Sequence, residues 1–75
     1  MKVCINTIEK VKGFAAIAAR CKADITLRHD KYVIDGKSIM GIFSLDLSKD
    51  IDLTIESDDP AVRDECIALL KDYIV

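Results

Sequence analysis

The chain has no tryptophan, a single histidine and a single proline among 75 residues, and these scarcities narrow what it can do. One histidine and three cysteines without a CxxC pair lack the paired spacing of zinc sites, so neither a metal nor any other cofactor is expected. Cys4, Cys21 and Cys66 are odd in number and each stands within an apolar pattern, which reads as reduced core thiols and not as a disulfide framework. No apolar run approaches the ~20 residues of a membrane span, and the N-terminus lacks the charged, apolar and small-residue succession of a signal peptide. Neither sign of charge dominates. Lysine and arginine number 11 against 13 acidic residues, a formal net charge of −2, and the signs are interspersed without the basic face that direct nucleic-acid contact requires. The expectation is a cytoplasmic protein with no membrane or nucleic-acid partner.

What the chain does have is apolar content, 51% of residues, enough for one core and hence a single domain over 1–75. No linker, repeat or low-complexity tract interrupts it. Lys2-Val3-Cys4-Ile5-Asn6 alternates as a short first strand with Val3 and Ile5 facing one way. Asn6 then stands where a helix cap would, with Glu9 three residues on as in a capping box, and Ile8, Val11, Ala15 and Ala18 follow at helical spacing, widened by Phe14 and Cys21. Gly13 within that stripe costs on the order of 1 kcal/mol relative to alanine, and marks either a close contact or a helix that starts later. Ala23-Asp24-Ile25-Thr26-Leu27-Arg28-His29 alternates cleanly, and Asp30-Lys31 turns it into Tyr32-Val33-Ile34-Asp35 as a hairpin. Ile51-Asp52-Leu53-Thr54-Ile55-Glu56 alternates again. Asp59 as cap and Pro60 at the first helical position begin a final helix, with Val62, Cys66, Leu69, Leu70 and Tyr73 on one stripe.

Between the hairpin and the last strand lies Gly36-Lys37-Ser38-Ile39-Met40-Gly41-Ile42-Phe43-Ser44-Leu45, a short amphipathic segment. Ser38 occupies the N-cap position, because its hydroxyl can accept from an amide two or three residues ahead while Ile39, Ile42 and Phe43 supply helical spacing. It is either an ordinary cap or a modification site, since a phosphate there would meet the positive helix end and adjacent Lys37. Ile42 and Leu45 are assigned to the core. So short a helix cannot also bury Ile39, Met40 and Phe43, which then either cover the sheet edge or form an exposed partner surface. The element order βαββαβα gives an α+β open-faced two-layer sandwich: a four-stranded antiparallel sheet, three helices on one face, and Asp24, Thr26, Arg28, Asp52, Thr54 and Glu56 on the wet face.

The run Lys37-Ser38-Ile39-Met40-Gly41-Ile42-Phe43-Ser44-Leu45, with this length and element order, resembles the HPr family, the phosphocarriers of the bacterial sugar phosphotransferase system. The run is similar to the family's regulatory-serine segment as found in its Gram-positive branch. The family fold agrees with the periodicity. The family's phosphorylatable histidine, followed by an arginine and a proline at the start of the first helix, has no counterpart: Asn6-Thr7-Ile8-Glu9-Lys10-Val11-Lys12 is shorter and contains none of the three. Accepting phosphate from a phosphohistidine protein needs an imidazole nucleophile at an anion-binding helix end, which Thr7 and Glu9 do not supply. His29 falls at the end of the second strand and matches no family motif.

The resemblance therefore implies a non-enzymatic, Crh-like member of carbon catabolite regulation. Ser38 would be the phosphoacceptor for HPr kinase/phosphorylase, and Ile39, Met40 and Phe43, with Lys37 at the rim, would dock a CcpA-like transcription factor. The alternatives are a working phosphocarrier with an unconventional acceptor such as His29, or an unmodified protein-binding module.

Overall fold

Two strands carry the sheet, and both are written in strict alternation. The computed structural model describes all 75 residues, in the order β1 (Lys2–Val3), α1 (Ile8–Arg20), β2 (Asp24–His29), β3 (Tyr32–Asp35), α2 (Ile39–Phe43), β4 (Ile51–Glu56) and α3 (Pro60–Leu70). β4 lies between β1 and β2, β3 forms the far edge, and every pairing is antiparallel. The β2–β4 register sets Ile25 opposite Ile55 and Leu27 opposite Leu53, so the apolar sets of both strands share a face. The architecture is an α+β open-faced sandwich, a four-stranded antiparallel sheet with three helices, matching βαββαβα. Asp24, Arg28, Asp52, Thr54 and Glu56 are exposed on the opposite face, with Thr26 half-buried among them. A Lys2–Asp52 ion pair spans that face at 3.1 Å.

Against the sheet α1 lays Val11, Phe14, Ala15 and Ala18, while α2 contributes Ile42 and α3 contributes Cys66 and Leu70, all buried in one cluster. At ~1.5–3 kcal/mol for each large apolar side chain removed from water, this cluster is the main source of stability. Leu47 anchors the loop before β4 against the same core.

Several local expectations are corrected. The first strand closes after Val3, because from Cys4 the chain turns to the C-terminal segment: the Cys4 amide donates to the Tyr73 carbonyl at 2.9 Å, and Val3 bridges Ile74. The cap of α1 is Thr7 and not Asn6, with the Lys10 amide donating to Thr7 Oγ1 at 3.1 Å, so Glu9 falls one position early for a capping box. Ile8, placed on the buried stripe, is 59% exposed because it stands at the first turn, beyond the edge of the core. β2 starts at Asp24, although Ala23 is buried as expected. Leu69 is exposed, and Tyr73 lies past the end of α3 in a turn.

Tyr73 explains Gly13. Its ring meets Phe14 edge-on, with centroids 5.8 Å apart and an interplanar angle of 88°, and its hydroxyl occupies the space a Gly13 Cβ would fill. The helix does not start late; the glycine marks a close contact. Gly36 is more tightly confined. Its amide donates to the Ile25 carbonyl at 2.7 Å, and an added Cβ would run into the Ile25 side chain and stand 3.2 Å from that carbonyl. Gly36→Ala is expected to destabilise the fold by about 2 kcal/mol, read as a lower urea midpoint at unchanged slope.

Candidate functional site

The turn that leads into α2 is fixed by Asp35. Its carboxylate accepts the Lys37 amide at 2.9 Å and its carbonyl accepts the Ser38 amide at 3.0 Å, which sets Ser38 in the extended conformation of an N-cap, φ −96° and ψ 105°. Ser38 Oγ accepts the Gly41 amide at 3.2 Å and its carbonyl accepts the Ile42 amide at 3.0 Å. The Ile39 and Met40 amides, the other two at this helix end, have no protein acceptor. Gly41 suits the position, since a Cβ there would lie 3.3 Å from the capping oxygen. At the other end the Ser44 hydroxyl and amide both donate to the Gly41 carbonyl.

Ile42 and Leu45 point into the core as assigned, leaving the remaining apolar side chains outward: Met40 82%, Phe43 46% and Ile39 38% exposed. Ser38 is exposed beside them. Lys37, assigned to the rim of this surface, is half-buried and sends its ammonium group to the Cys21 carbonyl at 2.9 Å, where it caps the C-terminal end of α1. A backbone carbonyl leaves no mark in sequence, so the part played by Cys21 in holding this segment was invisible there. After α2, Asp46 orders the loop: hydrogen bonds from the Ser48 hydroxyl at 2.6 Å and the Ser48 amide at 3.1 Å hold its carboxyl below the ordinary aspartate range.

The start of α1 and His29 are the two further positions weighed for phosphoryl transfer. At the start of α1, Thr7 caps the helix and Asn6 accepts from the Lys10 ammonium at 3.3 Å, and both are exposed. His29, on the last residue of β2, is largely covered, and its Nε2 lies 3.6 Å from the Asp30 carboxylate. The backbone beside it turns at Asp30 with φ 53°, and His29 belongs to a strand end and to no helix cap. No group of three or more histidine, cysteine or carboxylate side chains could hold a metal ion, and no helix is long and apolar enough to cross a membrane.

Comparison with known proteins defines the class. The family model described as the PTS HPr component phosphorylation site matches residues 10–74. The chain belongs to the HPr family. Members of this family are non-catalytic phosphocarriers, and the chain is not an enzyme. No curated protein sequence matches it significantly. Among solved structures it is similar to HPr-C-His from Thermoanaerobacter tengcongensis, with a TM-score of 0.73 at 24% identity over 96% of this chain and 89% of that one. It is also similar to the HPr dimer from the same organism, with a TM-score of 0.63 at 25% identity over 83% and 74%. Crh, the Bacillus subtilis catabolite repression containing protein, described as a swapped dimer, gives a TM-score of 0.64 at 22% identity over 100% and 88%.

Because Ser38 Oγ is the acceptor for the Gly41 amide, Ser38→Ala is expected to loosen α2 by about 1 kcal/mol while Ser38→Asp retains most of the cap. Hydrogen exchange at Gly41 and Ile42 measures this directly.

Proposed function

We propose that this HPr-family chain, within the phosphotransferase and regulatory functions of that family, is a regulatory module switched by phosphorylation at Ser38 and working in the cytoplasm through protein contacts. The observation that carries this is the pairing of an exposed serine hydroxyl with an exposed apolar patch, Ile39, Met40 and Phe43, on the same short helix. A phosphate on Ser38 would face the two unpaired amides of Ile39 and Met40 and add charge at one edge of the patch, which changes the surface a partner reads. By resemblance the modifying enzyme is HPr kinase/phosphorylase and the reader a CcpA-like transcription factor. Ile39, Met40 and Phe43 supply the contact. Lys37, bonded to Cys21, steadies the segment and leaves only its stem at the rim.

A second reading is favoured by the family match itself, which is described by a phosphorylation site. In that reading the chain is a working phosphocarrier whose acceptor is unconventional. The matched region begins at Lys10, beyond the loop that leads into α1, and His29 is the one imidazole inside it. The covered setting of His29, on a strand end and not at a helix cap, favours Ser38. An unmodified binding module would use the same patch.

Parallel labelling separates the three. Incubation with HPr kinase/phosphorylase and labelled ATP is expected to place one phosphate on the wild type and none on Ser38→Ala. Labelled phosphoenolpyruvate with Enzyme I is expected to leave the chain unlabelled. Label from phosphoenolpyruvate that disappears in His29→Gln would establish the carrier instead, and no label in either arm would leave the binding module.

A further inference from the structure

Two of the three free cysteines meet across elements that are far apart in sequence. Cys21 closes the C-terminal end of α1 and Cys66 lies on the inner side of α3, and both are buried. They line one small cavity, about 30 Å³ in volume, whose walls also include Val62 and Leu69 and whose rim includes Arg20 and Glu65. The Cys21 thiol donates to the Ile17 carbonyl at 3.5 Å, at the end of α1 that borders this cavity. Cys4 takes no part in this cluster; it is half-buried beyond β1, with its amide on the Tyr73 carbonyl.

We propose that Cys21 and Cys66 form an oxidisable pair that links the end of α1 to α3 through a disulfide when the chain meets a small-molecule disulfide such as oxidised glutathione. Two buried cysteines on the wall of one small cavity need little backbone movement to reach bonding geometry, and the cavity leaves room for the side chains to turn. In the first step one cysteine thiolate attacks the small disulfide, forming a mixed disulfide and expelling one small thiolate, which takes up the displaced proton. The second cysteine then attacks the protein sulfur of that mixed disulfide and releases the second small thiol. Two protein thiols are oxidised, and one small disulfide is reduced to two thiols.

The setting makes the pair slow and conditional. Burial first, and then the neighbouring Cys66, push the Cys21 thiol up to about 11 from 9.0, so its thiolate is scarcer by about a hundredfold than that of an exposed cysteine at neutral pH. Exchange therefore proceeds through openings of α3, and the bond, once made, holds α3 closed. It also falls on the residue whose carbonyl anchors Lys37, immediately before Ser38.

The test uses a Cys4→Ser chain equilibrated with mixtures of reduced and oxidised glutathione, in native buffer and in about 6 M urea, quenched with acid and read by mass spectrometry. The native chain should become lighter by two hydrogens, with a single tryptic cross-link between Cys21 and Cys66. Half-oxidation should need a glutathione mixture at least about 100-fold less oxidising than in urea, and the oxidised chain should melt about 10 °C or more higher. A native chain that needs a mixture as oxidising as the urea-unfolded one, or more so, or that accumulates only mixed glutathione disulfides, overturns the proposal.

Discussion

Ile25 is where the sheet, the turn and the Ser38 helix are tied together. Its side chain is buried opposite Ile55 in the β2–β4 ladder, its carbonyl accepts the Gly36 amide at 2.7 Å, and its methyl groups fill the space where a Gly36 Cβ would stand. Only a glycine lets the chain leave β3 this close to the strand beside it. The Asp35 turn follows directly, and from it the cap conformation of Ser38. The position of a surface hydroxyl is thus inherited from a core contact two residues upstream. Burial of Ile25 in the same core cluster as Phe14 and Val11 keeps that contact in place.

α2 then divides its side chains unequally. Five residues of helix give barely more than one turn, enough to direct Ile42, with Leu45 just beyond, into the core. Ile39, Met40 and Phe43 remain outside because no element of the fold covers them. An unbranched, polarizable side chain such as Met40 suits a surface that must repack against a partner. The hydroxyl that completes the helix is the one proposed for modification, so phosphorylation would alter the cap and the charge of the patch in one event.

Much of this was legible in sequence for a plain reason. β2 and β4 each bury one face only, so their residues alternate, and Asp59-Pro60 starts α3 by a rule local to four residues. Ser38 was identifiable as a cap on the same local grounds, and Ile42 and Leu45 as core from helical spacing. The failures fall where the partner is distant in sequence. β1 is cut to two residues by its contact with the C-terminal segment, Tyr73 leaves the helix to pack on Phe14, and Gly13 is required by that tyrosine. The destination of the Lys37 ammonium is a carbonyl, and every residue has one. The choice of Thr7 over Asn6 as cap turned on one residue of register.

If the Ser38 helix is a surface read by another protein according to its phosphorylation state, affinity must depend on both the phosphate and the apolar patch. The most direct measurement is calorimetric titration of a CcpA-like transcription factor with the chain phosphorylated at Ser38, the unmodified chain, and the phosphorylated chain carrying Met40→Asp. The expected result is binding of the phosphorylated form, weaker by at least about tenfold both without the phosphate and with Met40→Asp. Equal affinity across all three would contradict it.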